Sequence, residues 1–307
     1  MFSRPRLGLT LGGGGARGGA HIGVLRILEE IGYRPDVIVG TSIGGAIAVM
    51  AGAGWSAEKI ERMACETDFN TLLQIDRSGN GLISNAALAA ELRRHFGDAD
   101  LRDLPIRTGV MAADIRHGER VLIAEGPVVD AVLATVAVPG LFPPVRWGDR
   151  LLVDGGVITN VPTQATYELG AQRVVAVDVA GELDLGTAMS DVGTFSRRLQ
   201  RLLYWLLNLS RRQVAFDTFI QSTVLSYHML VRYELATYPP HVLIRPSLPP
   251  IGLFAMEHLL ITAACGEQAA RQAAPYISNL MRSRFLRPRQ PDYPLPSLAL
   301  ASHRRDG

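Results

Sequence analysis

An α/β fold with a mainly parallel sheet is what this chain predicts, on three observations. Short apolar strands alternate with helical patterns through the first half, glycine-rich turns join strand to helix, and 307 residues at 48% hydrophobic and 20% charged can bury a large core. The composition excludes a disordered or collagen-like chain. Net charge is +2, too small to argue for a nucleic-acid partner, so local clusters carry any electrostatic reading. Two isolated cysteines, Cys65 and Cys265, make no disulfide framework and have no metal-ligand spacing; they read as buried reduced thiols.

The elements follow in order. "RLGLTL" reads as a strand ending at "GGGGARGG". In "GAHIGVLRILEEIG", Ile22, Leu25, Leu28 and Ile31 recur at helical spacing and Gly32 marks a stop. "DVIVG" (Asp36 to Gly40) is a buried strand, and "SIGGAIAVMAGAG" a very apolar helix. Two amphipathic helices come next, one capped by Ser56, the other capped by Ser84 and closed by Gly97. "RTGVMAADI", "RLLVDGG" and "RVVAVDVA" are strands, with a helix in "VVDAVLATVAVPGLFPP" stopped by Pro139-Gly140. Strand-helix alternation implies parallel strands with right-handed crossovers. Past Gly181 the pattern becomes helical, with a last strand in "HVLIRPSLP" and a last helix in "FAMEHLLITAACGEQAARQAA". The tail after about Phe285, rich in Pro, Arg and Ser, is expected to be disordered.

Two glycine turns carry the chemistry. Gly13-x-Gly15-x-x-Gly18 satisfies a dinucleotide-binding pattern, but such a turn can equally present backbone N–H groups to an oxyanion. The dinucleotide reading needs an acid at the end of the second strand to bind ribose. That strand instead runs into Thr41-Ser42, and Asp36 stands at its start. Gly40-x-Ser42-x-Gly44, between a strand and a helix, has the context of a nucleophile elbow; the other reading is a serine N-cap in a glycine-rich turn. Arg17 would brace the first loop, add positive field, or simply be a solvated helix-start arginine.

A serine nucleophile needs a base. His228, His241, His258 and His303 lie late enough in the chain, yet none sits on a glycine-rich turn after a strand; His241 fits least poorly, and His21 reads as a packing or hydrogen-bonding residue. Asp154, at a strand end before Gly155-Gly156, is the better candidate, pointing from the sheet's C-terminal edge. Asp114 and Asp178 also end strands and read as turn or capping residues.

"GGGGARG", "GTSIG" and "DGG", in this order, resemble the oxyanion-hole, nucleophile and aspartate motifs of the patatin-like phospholipase family. The flanks "AHIGVLRILEE", "PDVIVGTSIGG", "AVPGLFPPV" and "LLVDGGVITNVP" match too, and the likeness runs from about Leu7 to Asp178. The resemblance implies a three-layer α/β/α fold and a Ser–Asp dyad without catalytic histidine. It also implies hydrolysis of carboxylic esters of phospholipids or lysophospholipids, with no cofactor and no metal. Carried over, Ser42 is the nucleophile, Asp154 the base, and Gly13, Gly14 and Gly15 the oxyanion donors. Arg17 and Gly18 complete that loop, with Gly40, Gly44, Gly155 and Gly156 shaping the other two motifs. Thr135 stands where the family usually has serine, and is expected to lie clear of the dyad. A lipid-binding or regulatory protein that keeps the fold without turnover is the second reading.

The expected organisation is a catalytic core over 7–180, a helical continuation on the same domain over 181–284, and a tail over 285–307. In "RRLQRLLYWLLNLSRR" (Arg197 to Arg212), within a helix expected over about 194–213, six leucines from Leu199 to Leu209 fall on one side and five arginines on the other. It reads first as a core-packing helix with a solvated arginine face, then as a peripheral contact with anionic membrane, then as a homo-oligomer contact. With no signal-peptide pattern and no run of roughly 18 apolar residues, the expectation is a cytoplasmic protein whose main partner is its lipid ester substrate.

Overall fold

The first strand and its glycine turn form where the sequence places them. β1 (Leu7–Leu11) leads through a 3-10 turn at Gly15–Gly18 into α1 (Gly19–Glu30), and β2 (Val37–Thr41) leads into α2 (Ile43–Gly52). The computed structural model describes residues 4–180 (apart from 73, 77 and 78), 222, 225–251 and 255–282. The segment 194–213, with its arginine face, and the tail from Phe285 lie outside the described residues.

The remaining elements are α3 (Ala57–Glu66), α4 (Phe69–Leu72), a small hairpin of β3 (Gln74–Ile75) and β4 (Ile83–Ser84), and α5 (Ala86–Phe96). After them come β5 (Arg107–Asp114), β6 (Glu119–Ile123), α6 (Val128–Thr135), β7 (Val145–Trp147), β8 (Arg150–Asp154), α7 (Thr163–Glu168) and β9 (Arg173–Val177). A helix over 225–237 (α8), β10 (Val242–Ile244) and α9 (Leu259–Arg282) complete the described chain.

The main sheet runs β10-β9-β1-β2-β5-β8-β7, with β6 also paired to β5. From β10 to β5 every pairing is parallel; β6, β7 and β8 pair antiparallel. Side chains alternate across each strand. Leu7, Leu9, Leu11 and Ile38 point into the core shared with α1, α2, α3 and α9, whereas Val37 and Val39 pack with Ala165 of α7 and Leu169 just after it. α8 covers the same second face, setting Val231 and Leu235 against Ala176. The result is three layers, helix on sheet on helix.

Strand registers locate the site. β2 pairs with Arg107 to Met111 of β5, β6 with Val110 to Asp114, and β8 with Ala112 to Asp114. A strand residue offers each edge to one neighbour. β6 shares β5 residues with both β2 and β8, so it takes the opposite edge, and β2 and β8 lie end to end along the other. β2 stops with Thr41 opposite Met111, and β8, running the opposite way, stops with Asp154 opposite Ala112. Their C-terminal ends face each other. Asp154 lies at the sheet's C-terminal edge, where the sequence places it, but on a strand antiparallel to β5 that arrives head-on.

Other expectations shift in detail. The Ser56 hydroxyl accepts the Lys59 N–H at 3.2 Å, the predicted cap. Ser84, by contrast, ends β4, and the N-cap of α5 is Asn85. α6 ends at Thr135, before Pro139 is reached. The last helix does not stop at Pro275 but continues to Arg282. It lies along α1, where Gly23 abuts the Ala263 carbonyl and Gly266 the Ala20 carbonyl, so a methyl at either position would overlap backbone.

Candidate active site

Ser42 sits between β2 and α2 with φ 54 and ψ −128, and among the described residues it is the one non-glycine with positive φ. Such a backbone costs on the order of 1–3 kcal/mol and persists only where its surroundings fix it. Here they do. The Ser42 N–H donates to Thr135 Oγ1 at 2.9 Å, and the Thr135 hydroxyl donates to the Met111 carbonyl at 2.6 Å. Thr135 was expected to stand clear of the dyad; it holds the serine's own backbone.

The tight turn lifts the serine side chain toward the end of β8. Ser42 Oγ donates to Asp154 Oδ2 at 2.6 Å. The other carboxylate oxygen accepts the Gly156 N–H at 2.7 Å. Asp154 is 5% exposed. Burial pushes its carboxyl up to about 6, against the opposing pull of the hydrogen bonds from Ser42 and Gly156. A carboxylate with that affinity for a proton is a competent base near neutral pH. Glycine is required beside it: a Cβ on Gly155 would stand 2.5 Å from the Met111 carbonyl oxygen.

The first glycine turn packs against this pair. A Cβ on Gly13 would lie 3.2 Å from Ser42 Cβ, one on Gly18 would strike Ile43, and one on Gly44 would come within 2.5 Å of the Gly12 carbonyl oxygen. Gly40 is held as closely, against the Gly44 carbonyl. Gly15 takes φ 56, open to glycine at no steric cost. The three amides expected to act together are not equivalent. Gly13 N–H donates to both the backbone carbonyl and Oδ1 of Asn160, each at 3.1 Å. The N–H groups of Gly14 and Gly15 have no partner among the described residues. Arg17 braces the loop, donating from Nε to the Ile251 carbonyl at 3.1 Å and from a terminal nitrogen to the Ala180 carbonyl at 2.8 Å.

Among the described residues no histidine meets the serine hydroxyl. His241 Nδ1 accepts the Val174 N–H at 3.2 Å near the start of β9, and His258 lies in the turn before α9. His228 lines the cavity beside the site, its pKa lowered by burial. His303 lies outside the described residues. His21 is fully buried with Nε2 2.7 Å from the Gly12 carbonyl oxygen, and burial lowers it to about 4. The imidazole is therefore neutral, and Nε2 carries the proton. Asp114 binds His117, Arg150 and two backbone amides, and Asp178 binds Arg245 and the Ala180 N–H; both are the turn and capping residues expected.

Ser42, Asp154 and Gly14 all face one cavity of about 520 Å³. Its walls are apolar, with Met50, Trp55, Phe96, Val132, Phe142 and Leu230 among them. A concave apolar site with a few converging polar groups is the usual form of a small-molecule site.

The family model described as patatin-like phospholipase matches residues 9–167, a span that carries both glycine turns, Ser42 and Asp154. The chain belongs to the patatin-like phospholipase family. An uncharacterized NTE family protein of Mycobacterium tuberculosis is 32% identical over 182 residues, 58% of this chain and 50% of that protein. Human patatin-like phospholipase domain-containing protein 6 is 31% identical over 209 residues, 66% of this chain and 15% of its own length. The neuropathy target esterase sws of Drosophila melanogaster is 31% identical over 190 residues, 58% of this chain and 13% of its own length. The chain thus spans half or less of these relatives. The crystal structure of VipD from Legionella pneumophila is similar over 89% of this chain and 67% of that one, with a TM-score of 0.55 at 14% identity. That likeness is one of fold, and the patatin fold follows from the family match. Among the described residues no helix is long and apolar enough to cross a membrane.

The structure brings together Ser42, Asp154 and the glycine turns that the sequence singles out, and adds contacts from Asn160, Tyr227 and Thr135 that the sequence did not point to. Asn160 lies inside the quoted "LLVDGGVITNVP", six residues past Asp154, where its type was a usable signal. Tyr227 arrives from α8 with no local motif around it.

Proposed function

We propose that this patatin-like protein is a serine acyl hydrolase that cleaves carboxylic esters of phospholipids or lysophospholipids. The observation that carries the reading is the 2.6 Å hydrogen bond from the Ser42 hydroxyl, on a strained left-handed backbone, to the buried Asp154 carboxylate. Ser42 Oγ attacks the ester carbonyl carbon while its proton passes to Asp154. The carbonyl oxygen becomes an oxyanion facing the Gly14 and Gly15 N–H groups, ahead of the positive end of α1. As the tetrahedral intermediate collapses, the C–O bond to the alcohol breaks and the alcohol takes the proton from Asp154. Water then attacks the acyl-serine, gives a proton to Asp154, and releases the fatty acid as Ser42 recovers its proton. The apolar cavity supports an aliphatic acyl group as the part bound. The names of the relatives, a patatin-like phospholipase domain-containing protein and an esterase, support the same class of reaction.

The test is hydrolysis of a short p-nitrophenyl ester and covalent labelling by a fluorophosphonate. The intact chain turns over the ester and labels; Ser42→Ala does neither while its circular dichroism is unchanged. Full activity in folded Ser42→Ala overturns the reading. An intact chain that neither labels nor turns over supports the lipid-binding alternative.

A further inference from the structure

The polar groups of the glycine turn can be accounted for peptide by peptide. In the Gly12–Gly13 peptide both ends are taken: the Gly12 carbonyl faces His21 Nε2 at 2.7 Å, and the Gly13 N–H is bonded to Asn160. In the next peptide only one end is taken. The Gly13 carbonyl accepts two donors, Asn160 Nδ2 at 3.1 Å and the Tyr227 hydroxyl at 3.0 Å. The N–H of that same peptide belongs to Gly14 and has no partner among the described residues.

A trans peptide is planar, with its C=O and N–H pointing opposite ways. Among the described residues no peptide is cis. Two donors seated on the Gly13 oxygen therefore set the direction of the Gly14 N–H. They also polarise the amide, since a hydrogen bond accepted at the carbonyl strengthens the one donated at nitrogen. We propose that Tyr227 and Asn160 are positioning residues that aim the Gly14 N–H at the oxyanion formed on the Ser42 substrate. This rests on the hydrolase reading given above.

The two residues come from places that the three motifs do not include. Asn160 follows the Asp154 turn and grips the Gly13 residue from both sides, accepting its N–H and donating to its C=O. Tyr227 comes from α8, with its ring edge 3.5 Å from where a Gly156 Cβ would stand, so it bridges the glycine turn and the aspartate turn. Burial holds its phenol well above the ordinary value near 10, so the hydroxyl keeps its proton and remains a donor. One helix outside the motif-bearing segment thereby reaches the peptide that faces the reacting oxygen.

Tyr227→Phe keeps the ring and removes the donor. Its kcat on a p-nitrophenyl ester is expected to fall about tenfold, less than the 100-fold or more that follows loss of a direct oxyanion donor, with KM unchanged within about a factor of two. The Ki of a long-chain trifluoromethyl ketone, whose adduct with serine carries the oxyanion, rises by the same factor. The affinity of the matching dialkyl ether, which has no carbonyl, does not move. Fluorophosphonate labelling still reaches full stoichiometry, but more slowly. Asn160→Asp keeps the acceptor for the Gly13 N–H, loses the donor to the Gly13 carbonyl, and gives a second reading of the same quantities. Tyr233→Phe, on the exposed side of the same helix, is the control and leaves all of them unchanged. A Tyr227→Phe protein with unaltered kcat and Ki, or one whose loss lies in KM or in ether affinity, overturns the positioning role while the hydrolase reading stands. An intact chain without turnover or labelling overturns both.

Discussion

Thr135 Oγ1 accepts the backbone N–H of Ser42 at 2.9 Å while its hydroxyl donates to the carbonyl of Met111, the β5 residue opposite which β2 ends. One hydroxyl thus ties the end of α6 to the turn that carries the serine and to the strand beneath it. It satisfies a donor that the left-handed backbone would otherwise leave buried and unpaired.

Replacing that hydroxyl tests its part in the turn. Thr135→Val leaves the Ser42 N–H and the Met111 carbonyl without this partner and should cost about 2–3 kcal/mol of stability together with most of the esterase rate. Thr135→Ser keeps both hydrogen bonds and loses one methyl, which packs against Gly45; it should cost about 1 kcal/mol and retain activity. Urea unfolding and ester hydrolysis on the same preparations separate the two cases.

The pH dependence of turnover follows from Asp154. With its carboxyl at about 6, the ionised form that can accept the serine proton is lost in acid. kcat/KM should rise with pH, with a single inflection near 6, and be flat above about 7. An inflection near 4 would mean that the carboxylate is not desolvated in the working enzyme.

Stability carries two opposing pH dependences from the same site. Asp154 takes up a proton more readily folded than unfolded, rising from 3.8 to about 6. Its contribution is present below about pH 4 and lost as pH rises through 6. His21 takes up a proton less readily folded, falling from 6.5 to about 4, so its contribution is present above about pH 6.5 and lost as pH falls through 4. Each is worth at most about 3 kcal/mol, and between pH 4 and 6 their slopes have opposite sign. Relative to the parent, Asp154→Asn should gain stability as pH rises through 6, and His21→Gln should gain it as pH falls through 4. Chemical denaturation of the three proteins from pH 4 to 8 measures both slopes.

The end-to-end meeting of β2 and β8 leaves no room at Gly155. Gly155→Ala would press a methyl onto the Met111 carbonyl and should lower stability by about 1–3 kcal/mol. It should also lower kcat more than KM, because the same shift moves Asp154 away from Ser42. Thermal unfolding and steady-state kinetics on a p-nitrophenyl ester check the pair of effects.

How much of this was legible in the sequence depends on how local each feature is. Ser42 and Asp154 could be read because each is framed by its own strand and glycines within a few residues. The parallel half of the sheet, from β10 to β5, followed from strand-helix alternation. The reversed direction of β8 did not, because β6 and β7 are short strands in polar surroundings with no helix between β7 and β8 to count. The last helix, expected to span Phe254 to Ala274, runs on through Pro275 to Arg282, held along α1 by close packing at Gly23 and Gly266. Thr135, Asn160 and Tyr227 act on residues 93, 147 and 214 positions away, and nothing in their neighbours announces this.

The direct contact of Ser42 with Asp154 has a kinetic corollary. In a three-residue relay an imidazole stands between hydroxyl and carboxylate, and two bridging protons can change their bonding as the reaction climbs its barrier. On the proposed dyad there is a single bridge, 2.6 Å long, and only one proton is in flight in each half-reaction. Rates measured across mixtures of light and heavy water should therefore vary linearly with deuterium content, without the curvature that a second moving proton would introduce.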